Sequence, residues 1–347
     1  PTVPVLISPS DNFTTNQATI NFDWGDSTDA VSGVSNYDLQ VSTASNFSII
    51  NYSSLPITSQ ASLTTTDGVY YWRVRAKDNA ENYSGWTGTR TFTVDSTPPA
   101  AVTDLTATAG TNEGEIKLTW LAPGDDGWTD PLPSGSEFRI QHSTWTGVSW
   151  SKDSAQVIVL TSGVTPMTSV SYVATGLQSG TTYYFRIWHA DEVPNWSDLS
   201  NGATAQAGLL STDITEVSFN FGQIFPGGSV VSSSSATVKN NGSINATYQI
   251  KLSTPPSWNA GTAPDTDQFV FYVRFNSVLP SAGDFGAEDI LSTTTVSCTA
   301  SVFAGDETGV NVPAGEKRSL WAYFKAPTAT TVETQQGIVV TITPIKP

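Results

Sequence analysis

Two loops and one strand hold most of the residues that could do chemistry. The loop GDSTDAVSG places Asp26 and Asp29 after a tryptophan, and APGDDGWTD places Asp125, Asp126 and Asp130 after another. Closely spaced carboxylates among glycines suit calcium, a hard cation that takes six to eight oxygen ligands. Neither loop has EF-hand spacing, and Asp with Gly is also ordinary turn chemistry, so both readings stay open. The strand is YYWRVRAKD, from Tyr70, echoed by YYFRIWHAD from Tyr183. With a two-residue period, Tyr70, Trp72 and Val74 share one face with one another, as do Tyr183, Phe185 and Ile187. The opposite face then carries Tyr71, Arg73 and Arg75, and in the second copy Tyr184, Arg186 and Trp188. Trp145 and Trp150 lie in the neighbouring loop HSTWTGVSW. Flat rings beside polar groups can stack on a sugar, which makes this face a candidate glycan platform. Pairing of Arg with Asp across strands explains the same residues without any ligand.

Other catalytic patterns are missing. The two histidines, His142 and His189, lie in no metal or nucleophile motif, and no G-x-S-x-G, H-E-x-x-H or P-loop occurs. Two well-placed carboxylates would suffice for a glycosidase, but short sandwiches offer few deep clefts, and a non-catalytic protein is expected. One cysteine, Cys298, excludes an intramolecular disulfide and reads as a small buried hydrophobe.

The elements that position these residues are strands. Only 13% of the 347 residues are charged, against about 25% in typical domains. Ser, Thr, 27 Gly and 20 Pro fill the deficit, and no window sustains a helical apolar stripe. The chain therefore reads as all-β. TINFDW matches EIKLTW, and NYDLQVST matches EFRIQHST, in the same order and at similar spacing. That duplication predicts two sandwich domains, 1–97 and 98–208. Residues 209–347 do not repeat it. They read as VSFNFG, SATVKNN, ATYQIKLS, FVFYVRFN, TTTVSCTAS, RSLWAYFKAP and GIVVTITPI, a third and larger sandwich with a hairpin signal at Asn240–Gly242.

Net charge is −16 and every domain is acidic. No basic footprint for phosphate exists, so neither nucleic acid nor an anionic membrane surface is an expected partner. No apolar run approaches the length of a membrane span. The start PTVPVLISPSDN is not the apolar helix of a type IV pilin. The chain begins at Pro1 rather than Met, as a processed protein or an excised fragment would.

The segment Leu177-x-x-Gly180-Thr181-x-Tyr183, with PPAAVTDLTAT and an early strand tryptophan, resembles the fibronectin type III fold. That resemblance implies a tyrosine corner, the Tyr183 hydroxyl bonding to the chain upstream. Residues 1–97 are more divergent and resemble bacterial Ig-like variants ending in a VDSTPP linker. The last domain, with PAGEKRSLW near its end, resembles sandwich modules that close bacterial exported proteins. These resemblances imply an extracellular or cell-surface location of bacterial type. Tandem sandwiches with little Lys, Cys or Met, abundant Ser and Thr and no catalytic motif point to a structural or adhesive protein, self-assembling into a filament or surface layer, with its own copies, other surface proteins or glycans as expected partners. The alternative is a carbohydrate-binding or spacer region of a larger secreted enzyme. Sheet edges would supply the assembly contacts, with TVPVLIS and GIVVTITPI as candidate segments.

Overall fold

In the computed structural model, which describes residues 1–161 and 163–347, the alternate residues of 20–24 and of 70–76 are buried, as their two-residue period requires. Domain 1 contains β1 (Leu6–Ser8), β2 (Phe13–Thr15), β3 (Thr19–Trp24), β4 (Val34–Ser42), β5 (Tyr52–Ser54), β6 (Gln60–Thr64), β7 (Gly68–Asp78) and β8 (Arg90–Val94). Its two sheets run β1-β3-β6 and β2-β8-β7-β4-β5. Ile20, Phe22 and Trp24 from one sheet meet Tyr70, Trp72 and Val74 from the other, all buried. Phe22 packs edge-on to Trp72 at 5.0 Å between ring centroids.

Domain 2 repeats the plan with β9 (Thr106–Ala109), β10 (Ile116–Leu121), β11 (Glu137–Ser143), β12 (Val157–Leu160), β13 (Ser169–Ala174), β14 (Thr182–Ala190) and β15 (Ala203–Gln206). The sheets are β9-β10-β13 and β12-β11-β14-β15. The tyrosine corner forms: Tyr183 Oη accepts from the Gln178 N–H at 3.1 Å. Tyr70, without the Leu-x-x-Gly-Thr lead, reaches the same end by donating to the Thr66 carbonyl at 3.0 Å. His142 is half-buried beside Tyr183 and Phe185, as a structural histidine should be, and burial lowers its pKa.

Domain 3 holds β16 (Thr212–Thr215), β17 (Ser229–Val231), β18 (Ala236–Asn240), β19 (Thr247–Ser253), β20 (Asn259–Ala260), β21 (Gln268–Phe275), β22 (Val296–Ser297), β23 (Lys317–Lys325) and β24 (Val339–Ile345). One sheet runs β16-β18-β23-β21-β20 with β17 also on β23, and the other β22-β19-β24. Two expectations fail here. Residues 217–222, VSFNFG, alternate like a strand but pair with none. Phe219 and Phe221 pack on the core, so their apolar period reflects burial without a backbone partner. The Asn240–Gly242 turn is a crossover, because β18 and β19 belong to different sheets. Buried Asn240 builds it, its side-chain amide donating to the carbonyls of Ile244 and Val312 at 2.8 and 2.9 Å. Cys298 is buried in this core, and desolvation pushes its thiol up to about 12.

The junctions between domains are bonded on both sides. Asp67 of domain 1 holds the linker through Ser96 and Thr97, at 2.7 and 2.6 Å to their hydroxyls. Domain 2 takes it through Ala100 N–H to Gly127 O at 2.9 Å and Gly127 N–H to Pro98 O at 3.2 Å. At the second junction, Gly208 exchanges bonds with Glu115 and Gly114, and Leu209 with Ser243, all at 2.9–3.0 Å. A Cβ on Gly208 would stand 2.1 Å from the Asn112 carbonyl oxygen, so only glycine lets these backbones approach.

Candidate functional site

Among the described residues, a close group of three carboxylates lies where domain 1 meets domain 2. Asp95 follows the last strand of domain 1, Asp125 sits in the β10–β11 loop, and Glu192 in the β14–β15 loop. One carboxylate oxygen from each of the three lies within 4.8 Å of the other two. Backbone bonds aim them: Asp125 N–H donates to Asp130 O at 3.0 Å and Gly124 N–H to Gly127 O at 2.9 Å. Asn195 bridges the boundary, its amide nitrogen donating to Asp95 O at 3.0 Å and to Asp191 Oδ2 at 2.8 Å.

Desolvation raises the Asp95 carboxyl to about 6 and the Asp125 carboxyl to about 7, and repulsion from neighbouring carboxylates adds to both shifts. Asp126 and Asp191 are also raised, chiefly by burial. Asp125 Oδ1 is a buried oxygen without a hydrogen-bond partner. Two partly buried carboxylates beside the exposed Glu192, with an orphaned oxygen on Asp125, fit a hard divalent cation. Oxygens on opposite sides of one Ca²⁺ stand up to about 5 Å apart. Asp95, Asp125 and Glu192 would hold the ion, and its charge would favour the ionised forms that desolvation disfavours at Asp95 and Asp125.

The sequence-derived acidic residues thus separate. Asp125 joins the cluster, exposed Asp126 borders it, and exposed Asp130 contributes its backbone carbonyl. Asp26 is exposed and joins no such group among the described residues. Asp29 is engaged locally. Its Oδ1 accepts from Ser32 N–H at 2.7 Å and Val31 N–H at 3.0 Å, and Oδ2 lies 3.2 Å from the Pro1 nitrogen. Those bonds hold its carboxyl well below the usual range. Asp95 and Glu192 were not among the sequence candidates. The VDSTPP linker already placed Asp95 at a domain boundary, and no sequence signal brings Glu192 to it.

The outward arginine face is largely self-satisfied. Arg73 stacks on Phe47 and Trp86 at 4.0 and 4.2 Å, and Arg75 on Tyr83 and Trp86 at 3.9 and 4.3 Å. Arg73 also donates to Gln40 Oε1 at 2.8 Å, and Arg75 to Asp38 Oδ2 at 2.8 Å. The stretch carrying Tyr83 and Trp86 is laid along β7 by its hydroxyls: Ser84 accepts from Ala76 N–H at 2.9 Å and Thr87 from Val74 N–H at 3.0 Å. Domain 2 repeats the device. Ser197 and Ser200 accept from the N–H groups of His189 and Ile187 at 3.0 and 2.9 Å, and Arg139 lies 4.5 Å over Trp196. NYSGWT and NWSDLS are therefore the same clasp, written twice.

The other candidates on that face differ in exposure. Arg186 is tied to the Ser200 carbonyl. Trp188, on the outer side, is only 8% exposed. Tyr71, Tyr184 and Trp150 are half-buried, whereas Trp145 is 67% exposed beside Gly147, where a Cβ would meet its ring at 2.4 Å. The expected binding surface contracts to Trp145 and its immediate surroundings.

In domain 2, a three-stranded sheet faces a four-stranded one in the strand order of the resemblance, and the tyrosine corner is in place. The first two domains are both two-sheet β-sandwiches with matching strand layouts. No family model matches the chain, and no curated protein does. Among solved structures it is similar to the crystal structure of chicken CNTN1 FN1-FN3 domains. The match has 15% identity and a TM-score of 0.36, covering 59% of this chain and 69% of that one. No helix among the described residues is long and apolar enough to cross a membrane.

Proposed function

We propose that this fibronectin type III-like chain is a non-catalytic structural or adhesive protein of the cell surface or extracellular space, a stiffened spacer whose copies assemble with one another. The observation that carries this reading is the bonding of both linkers to the domains on either side. A flexible tether has no use for such contacts, whereas a load-bearing or spacing element needs a defined angle between modules. Calcium at Asp95, Asp125 and Glu192 would tighten the first junction by joining carboxylates from both domains. Small-angle scattering of the intact chain tests stiffness. A single sharply defined maximum dimension, unchanged between dilute samples, is expected. A broad distribution typical of freely jointed domains would sink the proposal.

A second reading, a carbohydrate-binding spacer of a larger secreted enzyme, draws on exposed Trp145 alone. Retention on a polysaccharide column that disappears in Trp145→Ala or Trp150→Ala would favour it.

A further inference from the structure

The third sandwich is open along one side. A groove of about 680 Å³ runs between β24 and residues 216–224, with Phe219, Phe221, Val340 and Ile342 among its walls and Leu320 and Phe271 from the core at its floor. Both rims carry backbone N–H groups free of backbone partners, although the Asn220 carbonyl accepts from Ser233 N–H at 3.0 Å. β24 pairs with β19 on one side only, and the N–H groups of residues 217–221 make no backbone bond. β24 is also the poorest-buried long strand of the domain, with Val339 59% exposed. An extended strand laid here would gain a hydrogen-bonding edge and an apolar floor together.

We propose that this groove docks the β12 edge of a second copy of this chain, a reading that deepens the self-assembly part of the function above. Charge decides between occupants. In a chain of net charge −16, most surfaces of two copies repel. The three longest runs without Asp, Glu, Lys, Arg or His are 154–185, 39–66 and 217–238. They contain β12, β5 and the 217–224 wall of the groove. The ionised groups beside β12 neutralise one another, Arg139 with Glu137 and Asp153, and Lys152 with Asp153.

Among the described residues, β12 is a free edge that combines neutrality with outward apolar side chains. Ile158 and Leu160 are 56% and 75% exposed. The β1 edge is capped by Arg90, which donates to the carbonyls of Leu6, Ile7 and Pro9 at 2.8–2.9 Å. β5 spans only three residues and is followed by Pro56, which has no N–H to offer a docking strand. β6 turns Gln60, Ser62 and Thr64 outward, and β13 turns out Ser169 and Ser171 with a single apolar residue, Val173. Donor and acceptor occupy different domains, so every docked pair leaves one of each open and the assembly grows head to tail.

The single buried cysteine makes the test clean. Ile158→Cys chains are mixed with Val339→Cys chains and treated with a short bis-maleimide. Near-UV circular dichroism confirms that each variant retains the wild-type fold. Covalent dimers containing one chain of each kind are expected, well above a control mixture in which Val278→Cys replaces Val339→Cys. Adding Ile158→Lys to unlabelled wild-type chains should abolish their concentration-dependent association. Dimers formed only between two Ile158→Cys chains, dimers no more abundant than in the control, or association untouched by Ile158→Lys would each overturn the docking. None of those results bears on spacer stiffness, which scattering measures separately.

Discussion

Asp95 and Asp125 approach each other across a domain boundary, with carboxylate oxygens within 4.8 Å and Glu192 completing the triangle. Each is poorly solvated and surrounded by like charge, so the metal-free junction holds protons at pH values where exposed carboxylates have lost them.

Stability should therefore depend on pH in an unusual direction. A carboxylate raised from about 3.9 unfolded to about 6 or 7 folded stabilises the fold fully below pH 4 and loses that contribution as pH rises through 6 to 7. The buried histidines, with lowered values, act oppositely below about pH 6.5. The informative quantity is the difference between the wild type and Asp125→Asn. In EDTA, the Tm of Asp125→Asn should rise relative to wild type between pH 5 and 8. Parallel Tm curves would refute the clustering.

Calcium should reverse that penalty. At pH 8, calcium at a hundred times its Kd would stabilise the chain by about 2.7 kcal/mol, with a much smaller effect at pH 5, where protons compete. Calorimetry with Glu192→Gln should show no calcium response, and with Asp26→Asn a full one. The reverse pattern would return the site to the first acidic loop.

Trp86 holds two guanidinium groups, so Trp86→Ala leaves Arg73 and Arg75 facing each other without the ring between them. Two partly desolvated cation–π contacts and their packing are lost, about 1–3 kcal/mol of stability. Urea unfolding of an isolated Trp86→Ala chain measures it, and a change below about 0.5 kcal/mol would mean the stack is ornamental.

Gly208→Ala forces a Cβ to 2.1 Å from the Asn112 carbonyl oxygen. The second junction should open, exposing residues 208–211 to limited proteolysis while the tyrosine-corner domain stays intact. An unchanged digestion pattern would show that the junction is not rigid.

Much of the fold was legible because a strand's two-residue period converts directly into inside and outside. Ile20, Phe22 and Trp24, and Tyr70, Trp72 and Val74, could be assigned to a core before any coordinates. The period reports burial, not pairing, which is why VSFNFG misleads: Phe219 and Phe221 face the core from a stretch without a partner strand. It is equally silent on which outward residues are free. Arg73 and Arg75 look available on β7, yet Trp86 folds back over them from beyond the end of that strand.

By itself, then, the sequence determined the all-β class, the duplicated sandwich and its core faces, since these follow from local alternation and repeat spacing. The tertiary structure decided everything that depends on distant residues meeting. Asp125 and Glu192 meet because two loops of domain 2 fold side by side and Asp95 joins them across the domain boundary, and electrostatic energy depends on that separation in space, not on the interval along the chain.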